Sequence, residues 1–196
     1  MTREMLFALA LGYLLGSIPF GLILTRLAGK GDIRNIGSGN IGATNVLRTG
    51  SRLLAVLTLI LDCIKATVAI LLAGRLFGHD SAAFAAAGAL IGHLYPVWLK
   101  FRGGKGAATL LGILIPLLPI AAAVYAIIWI LLLLTLRISS VAGMSAAVSA
   151  PIAAFVLHST YLPMLLGFAV LVLWKHRENI LRLRRGTEPR IGRVKA

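Results

Sequence analysis

Negative charge is scarce in this chain. It has 6 Asp and Glu against 20 Lys and Arg, and only 13% of its residues are charged. A water-soluble domain covers its surface with more charge than that, so an ordinary soluble class is excluded. Cysteine is nearly absent. The single Cys63 lies in an apolar run, so no intrachain disulfide can form and nothing follows about redox compartment. Aromatic residues make up 7% and are not interleaved with the basic residues, which argues against nucleic acid as a partner. Apolar residues are abundant instead, at 59% of 196, and the mean hydropathy is +0.92. This is the composition of an all-α, polytopic membrane helix bundle. The net charge of +14 points to anionic lipid headgroups, anionic substrates or both.

A helix needs roughly 20 apolar residues to cross about 30 Å of hydrocarbon. The runs that qualify or come close are Leu6–Leu27, Leu53–Leu76, Ala82–Leu99, Ala107–Leu118, Pro119–Leu136, Val141–Leu157 and Tyr161–Leu173. The first is long for a signal peptide and lacks an A-x-A cleavage site, so it reads as an anchor. Pro116 and Pro119 break the stretch 107–136 in two. A single long span or a re-entrant pair there would give five crossings instead of seven. Charge placement supports seven. Alternating from an external N-terminus puts segments 28–52, 100–106, 137–140 and the tail from Lys175 on one face. With Arg26 they hold 17 of the 20 Lys and Arg. That excess marks the cytoplasmic side, where the C-terminus should also lie. The tail is expected to rest on the membrane as an amphipathic or irregular basic segment. Small residues inside the runs, Gly12, Gly16, Ala83 to Ala87 and Ala146 to Ala154, allow close helix approach. Asp62 and Lys65 share a helical face in the second run; charges at that depth can mark a proton or ion path, but an isolated pair makes no relay, so they read as a mutually neutralised pair that also binds a loop.

Two glycine-rich segments fall on the basic face. The first runs from Gly31 to Arg48. Gly37, Gly39 and Gly42 match G-x-G-x-x-G, with Asp62 20 residues beyond. A dinucleotide site is rejected, because that motif requires a strand before it and a membrane helix precedes it here. The loop keeps the chemistry of an anion cradle. Glycines let backbone N–H groups converge, Ser38, Asn40, Thr44 and Asn45 add neutral donors, and Arg34 and Arg48 add charge. A helix starting soon after would contribute its positive end. The second segment is Lys100-Phe101-Arg102-Gly103-Gly104-Lys105-Gly106-Ala107-Ala108-Thr109. It lacks Walker spacing but is again a glycine nest with a central lysine. His93 lies just upstream, with packing and ligand roles equally open. In the tail, His176 and Asn179 are three apart and share a helical face.

Six blocks in order carry a resemblance that covers nearly the whole chain. They are Gly16-Ser17-Ile18-Pro19; the segment from Gly37 to Asn45; Leu61-Asp62 with Lys65; Gly92-His93 with Tyr95-Pro96; Gly103-Gly104-Lys105-Gly106; and Lys175-His176-Arg177-Glu178-Asn179-Ile180 with Glu188. On these the sequence resembles the PlsY family, bacterial glycerol-3-phosphate acyltransferases that use acyl phosphate. The resemblance implies a seven-helix monomer, a single catalytic domain over 1–196, in the bacterial cytoplasmic (inner) membrane with its active site on the cytoplasmic face. It implies transfer of an acyl group from acyl phosphate to the C1 hydroxyl of glycerol 3-phosphate, the first acylation of phospholipid synthesis. No metal or cofactor is expected, and the soluble enzyme that makes acyl phosphate is an expected partner. The implied catalytic residues are Ser38, Arg48, Lys105, His176 and Asn179. The implied substrate-binding residues are Gly37, Gly39, Asn40, Gly42, Thr44, Asn45, His93, Gly103, Gly104, Gly106 and Glu188. The absence of His-x4-Asp agrees, since no Asp follows a His by five positions. A phosphate-ester transporter would need polar groups near the midplane at broken helices, and here they crowd one face. A structural lipid-binding protein would not need two glycine nests.

Overall fold

Proline decides where the first apolar run bends. In the computed structural model, which describes residues Met1–Gly192, helix α1 (Arg3–Gly16) begins at Thr2, whose hydroxyl accepts the Met5 N–H. It ends at Ser17-Ile18-Pro19, because Pro19 has no N–H to continue the ladder. The Ile18 N–H bonds back to Leu15 O at 3.3 Å, and α2 (Phe20–Leu27) then resumes the run. After the short loop helix α3 (Ala43–Leu47) comes the 26-residue α4 (Arg52–Phe77), capped by the Ser51 hydroxyl. The rest of the chain forms α5 (Ala82–Leu94), α6 (Ala107–Leu117), α7 (Pro119–Leu136), α8 (Ser139–Val156), α9 (Leu162–Lys175) and α10 (Arg177–Arg184).

Every apolar run expected from sequence contains helix, but some ends differ. The third was expected to reach Leu99. It stops at Leu94, because the residue before a proline is pushed out of the α region, and Tyr95 before Pro96 has φ −139°. A 3-10 turn over Val97–Leu99 follows. The stretch 107–136 divides at Leu118, with Pro119 opening α7. Among the described residues, five helical runs are long and apolar enough to cross a membrane: Arg3–Leu27, Arg52–Phe77, His79–Leu99, Pro119–Leu136 and Ser139–Val156. The apolar helices α6 and α9 are shorter, at 11 and 14 residues. The tail segment 193–196 lies outside the described residues.

The chain divides into two compact units, Met1–Leu117 and Leu118–Ala196. In the first, α1 and α5 touch backbone to backbone. A Cβ on Gly12 would sit 2.2 Å from Ala85 O, and one on Gly88 would sit 2.1 Å from Leu9 O. Gly16 and Gly92 make the same kind of approach. Lipid offers no hydrophobic drive between helices, so such packing contributes through dispersion and close backbone contact. The same device joins α6 to α4, where Gly112 lies on Cys63 O and the Thr67 hydroxyl donates to Gly112 O at 2.7 Å. In the second unit α8 lies between α7 and α9 and buries Ala142, Ala146, Ala147, Ala150 and Ala154. The outer faces are inverted relative to a soluble protein: Ile120, Ile127, Leu131 and Leu134 of α7 and Leu166 and Val170 of α9 are exposed. An exposed apolar belt of this kind suits hydrocarbon, not water.

Candidate active site

The first glycine loop is built around one buried amide. Asn45, 1% exposed, stands at the centre of α3. Its Nδ2 donates to Ile33 O at 2.8 Å, while its Oδ1 accepts from the Ser38 N–H and from Arg48 Nη1, both at 3.2 Å. A single side chain therefore gathers the start of the loop, Ser38 and Arg48. Below it lies a small apolar base of Leu22, Ile33, Ile41, Val46 and Ala55. Gly37 and Gly39 adopt φ +55° and +67°, where a β-carbon is unfavourable. Space also favours glycine at 37, since a Cβ there would lie 2.7 Å from Oδ1 of the buried Asn45. The glycine lets the guanidinium fold over the loop. Ser38 and Arg48 are exposed, and Asn40 and Thr44 are half-buried. Gly42 is extended and serves as the N-cap of α3, its carbonyl accepting from Asn45 and Val46. The expected helix dipole is a correction: α3 has only 5 residues, too few to sum into a strong positive end. At the loop's start, Asp32 accepts from Arg34 and from Arg26 at 2.7 Å. The Arg34 hydrogen bond is the main reason its carboxyl stays well below the ordinary carboxylate range.

The second loop has a different architecture. The Gly103 and Gly104 N–H groups are consumed by Leu94 O at 3.2 Å and His93 O at 3.0 Å. Neither glycine has a positive φ; only Gly106 does, at +89°. A Cβ on Gly103 would fall 2.1 Å from His93 O, and one on Gly104 2.1 Å from His93 Nε2. The expected nest over Gly103 and Gly104 is thus corrected to a close-packed seat against His93. Lys105 rides on that seat, half-buried, ahead of α6. Leu99, in the turn leading in, packs against the apolar base of the first loop.

Beneath Lys105 lies a buried polar chain. Lys65 Nζ meets Asp62 Oδ1 at 2.6 Å, His93 Nδ1 at 2.9 Å and the Ile18 carbonyl at 2.9 Å. An ammonium has three N–H donors, one for each. The Asp62–Lys65 pair is therefore mutually neutralised as expected, but it ties the bend between α1 and α2 instead of a loop. Ile18 O is available because proline interrupts the helix there. Removing one partner of such a pair costs about 3–5 kcal/mol. Sequence patterning gave no signal for the Ile18 carbonyl as a ligand of Lys65.

In the second unit, His176 and Asn179 are 4% and 5% exposed at the junction of α9 and α10. Val172 O can only accept, so the 2.8 Å contact places a proton on His176 Nδ1. In the neutral ring the lone pair is then on Nε2. Glu188 accepts from Ser140 Oγ and Asn179 Nδ2 at 2.6 Å and from Arg182 Nε at 2.7 Å. Burial pushes its carboxyl up, but these three bonds outweigh it and hold the group below its ordinary value. With both oxygens engaged, Glu188 acts on α10 by clamping Asn179 to α8. Ser140, unremarkable in sequence, is the other anchor of that clamp.

The fold and these sites define an all-helical membrane protein with glycine-rich, cationic loops at the ends of its apolar helices. The family model for glycerol-3-phosphate acyltransferase matches residues 6–186. The glycerol-3-phosphate acyltransferase of Mesorhizobium japonicum is 53% identical over 193 residues, 98% of either chain. That of Brucella anthropi is 54% identical, covering 98% of this chain and 96% of its own. The crystal structure of PlsY, an integral membrane glycerol 3-phosphate acyltransferase, superposes in its glycerol 3-phosphate form with a TM-score of 0.89 at 40% identity over 96% of both chains. Its lysophosphatidic acid form gives 0.87 at 38%. The chain belongs to the glycerol-3-phosphate acyltransferase (PlsY) family and is a multi-pass membrane protein.

Proposed function

We propose that this protein transfers a fatty acyl group from acyl phosphate to the C1 hydroxyl of glycerol 3-phosphate. The acyl carbon–oxygen bond to phosphate breaks, an ester bond forms, and inorganic phosphate leaves with 1-acyl-glycerol 3-phosphate as the lipid product. The observation that carries this reading is the family match over residues 6–186 together with the Asn45-centred loop, in which Ser38 and Arg48 are presented over positive-φ glycines. Acyl phosphate is already activated, so positioning and charge stabilisation suffice and no acyl-enzyme is required. The first loop takes the acyl-phosphate headgroup through Gly37, Ser38, Gly39, Asn40, Thr44 and Arg48. Asn45 and Gly42 shape that loop from behind. Lys105, carried by Gly103, Gly104 and Gly106, takes the phosphate of glycerol 3-phosphate. His176 and Asn179 take part in catalysis, with Glu188 holding Asn179. The C1 proton passes to the substrate's own phosphate.

The chain acts as one catalytic domain and as a monomer, with seven spans, an external N-terminus and a cytoplasmic C-terminus. It works in the bacterial inner membrane with its chemistry on the cytoplasmic face, fed by the soluble enzyme that makes acyl phosphate. The basic residues of 28–52 and 100–106 support this orientation. The test is product analysis: purified protein, acyl phosphate and radiolabelled glycerol 3-phosphate, followed by thin-layer separation. Labelled 1-acyl-glycerol 3-phosphate is expected with acyl phosphate and not with acyl-CoA. Product from acyl-CoA alone would overturn the donor assignment.

A further inference from the structure

We infer that Asp62, Lys65 and His93 form a positioning chain that sets the place of Lys105, and that His93 acts through this chain and not as a substrate ligand. The inference rests on the reading above that Lys105 holds a substrate phosphate.

The chain runs through four elements of the first unit. It starts at the bend in α1–α2, where the Ile18 carbonyl receives Lys65 Nζ at 2.9 Å. Asp62, one turn away on α4, fixes the same nitrogen at 2.6 Å, and the Phe20 ring lies 5.8 Å beneath it. Lys65 is thus held from three sides before it reaches His93 Nδ1 at 2.9 Å. That bond orients the imidazole, because a nitrogen accepting from an ammonium cannot itself carry the proton. The opposite edge of the ring is pressed on the second loop. Gly104 meets Nε2 so closely that a methyl there would stand 2.1 Å from it. The backbone N–H of Gly104 is tied to the His93 carbonyl as well, at 3.0 Å. Ring and loop therefore have no slack between them, and Lys105 follows immediately. Rotation of His93 would move Gly104 and the Lys105 backbone with it. The ring is 4% exposed and engaged by Lys65 on one edge and Gly104 on the other, which suits a support better than a ligand.

A built-in reason favours this arrangement over a purely apolar one. The bend at Pro19 leaves the Ile18 carbonyl with a 3.2 Å turn bond from the Phe20 N–H in place of a helical one, so its second lone pair is open to a further donor. Lys65 satisfies it, and Asp62 balances Lys65. The same three atoms then serve as a fixed reference for the loop. A displacement of roughly 1 Å in a group that positions substrate can cost about 100-fold in rate, so such a reference matters for the reaction.

The experiment compares purified full-length Asp62→Asn/Lys65→Met, which removes both charges together, with Lys105→Ala and with the triple variant. The KM of each substrate and kcat are read separately. The pair variant should raise the same KM that Lys105→Ala raises, by about tenfold, with the other KM within about twofold. The triple variant should be no worse than Lys105→Ala, because the pair acts only through that lysine. Should the effects of the pair variant and of Lys105→Ala both fall on acyl phosphate instead, the loop assignment above is exchanged while the positioning chain stands. Additive effects, or a kcat loss with a shifted pH profile and both KM values intact, would overturn the positioning role in favour of separate stability or proton transfer. If the pair variant does not fold in detergent, Gly104→Ala asks the same question from the loop side. It should produce the same selective KM rise, and unchanged constants there would overturn the inference. If the wild type makes no product at all, the proposed function fails, and hydrogen exchange then reads the geometry alone. The Gly103 and Gly104 amides should exchange at least about tenfold faster in Asp62→Asn/Lys65→Met. Unaltered protection would overturn the chain.

Discussion

The two glycine loops look alike in composition, yet their glycines answer different demands. In the first, Gly37 and Gly39 turn through positive φ, and the side chain of Asn45 holds the turn. In the second, Gly103 and Gly104 keep ordinary dihedrals and are small so that His93 can press against them. One loop is shaped by its backbone conformation and the other by its neighbour. A nest presents N–H groups outward, whereas a seat spends them on its support. The first loop also spends the Ser38 N–H on Asn45 and the Gly39 N–H on Ile36 O, so what it presents to an anion is chiefly the exposed side chains of Ser38 and Arg48. The second offers mainly a lysine whose place is set from below.

Substitutions should separate the two designs, and the largest effect is expected in the first loop. Gly39→Val forces a β-branched residue into φ +67°, and Gly37→Ala drives a methyl against Oδ1 of the buried Asn45. Each should lower acyl transfer by roughly 100-fold or more, the scale of a misplaced positioning group. Thermal unfolding in detergent should stay close to wild type, because the loop is at a surface. Normal turnover in folded Gly39→Val would show that the turn is not needed. Asn45→Ala comes next. It strands Ile33 O and the Ser38 N–H, so it should cost about 1–3 kcal/mol of stability and reduce activity together. Full activity with lowered stability would reduce Asn45 to packing.

Sidedness sharpens the comparison further, since both loops must face the cytoplasm to serve one reaction. Single cysteines at Gly50, Arg102, Gly186 and Leu118 in a Cys63→Ala background can be probed with a membrane-impermeant thiol reagent on right-side-out cells. Labelling is expected at 118 before permeabilisation and at 50, 102 and 186 only after it. Silence at 118 in both conditions would favour five spans. External labelling at 50 or 102 would contradict the proposed active site.

The smallest effect concerns the tail. The Glu188 pKa is depressed in the folded protein, so its contribution is present above the unfolded value of about 4.3 and is lost only as pH falls below that through the folded value. Exchange of the α10 amides should therefore stay slow down to about pH 4 and rise below it. Glu188→Gln should remove the step. A rise already between pH 6 and 5 would contradict the depressed value.

Much of the fold was legible because membrane helices announce themselves by length and apolarity. The seven runs, the proline break at 119 and the loop residues were visible in the sequence, whereas the bend at Pro19 inside the first run was not read. The close pairing of α1 with α5 was half visible: Gly12 and Gly16 stood out, but the residues they meet, Ala85 and Ala89, and the matching approaches of Gly88 to Leu9 and Gly92 to Tyr13, join segments far apart in the chain. The site was less legible where a residue works through space. Nothing in sequence tells that Gly104 is small for His93, that Ile18 lends its carbonyl to Lys65, or that Ser140 anchors Glu188. Those are contacts between distant segments, and a single sequence records residue types without recording which meet.

The most direct test of the account is a crossed measurement on Lys105→Ala and Arg48→Ala, with both KM values determined for each. Loss of a charge-assisted bond of about 1.5–3 kcal/mol should raise one KM by roughly 10- to 150-fold. The account predicts that Lys105→Ala raises the KM for glycerol 3-phosphate and Arg48→Ala that for acyl phosphate, each leaving the other within about twofold. If both substitutions raise the same KM, the two loops do not hold two phosphates and the division of labour between them is wrong.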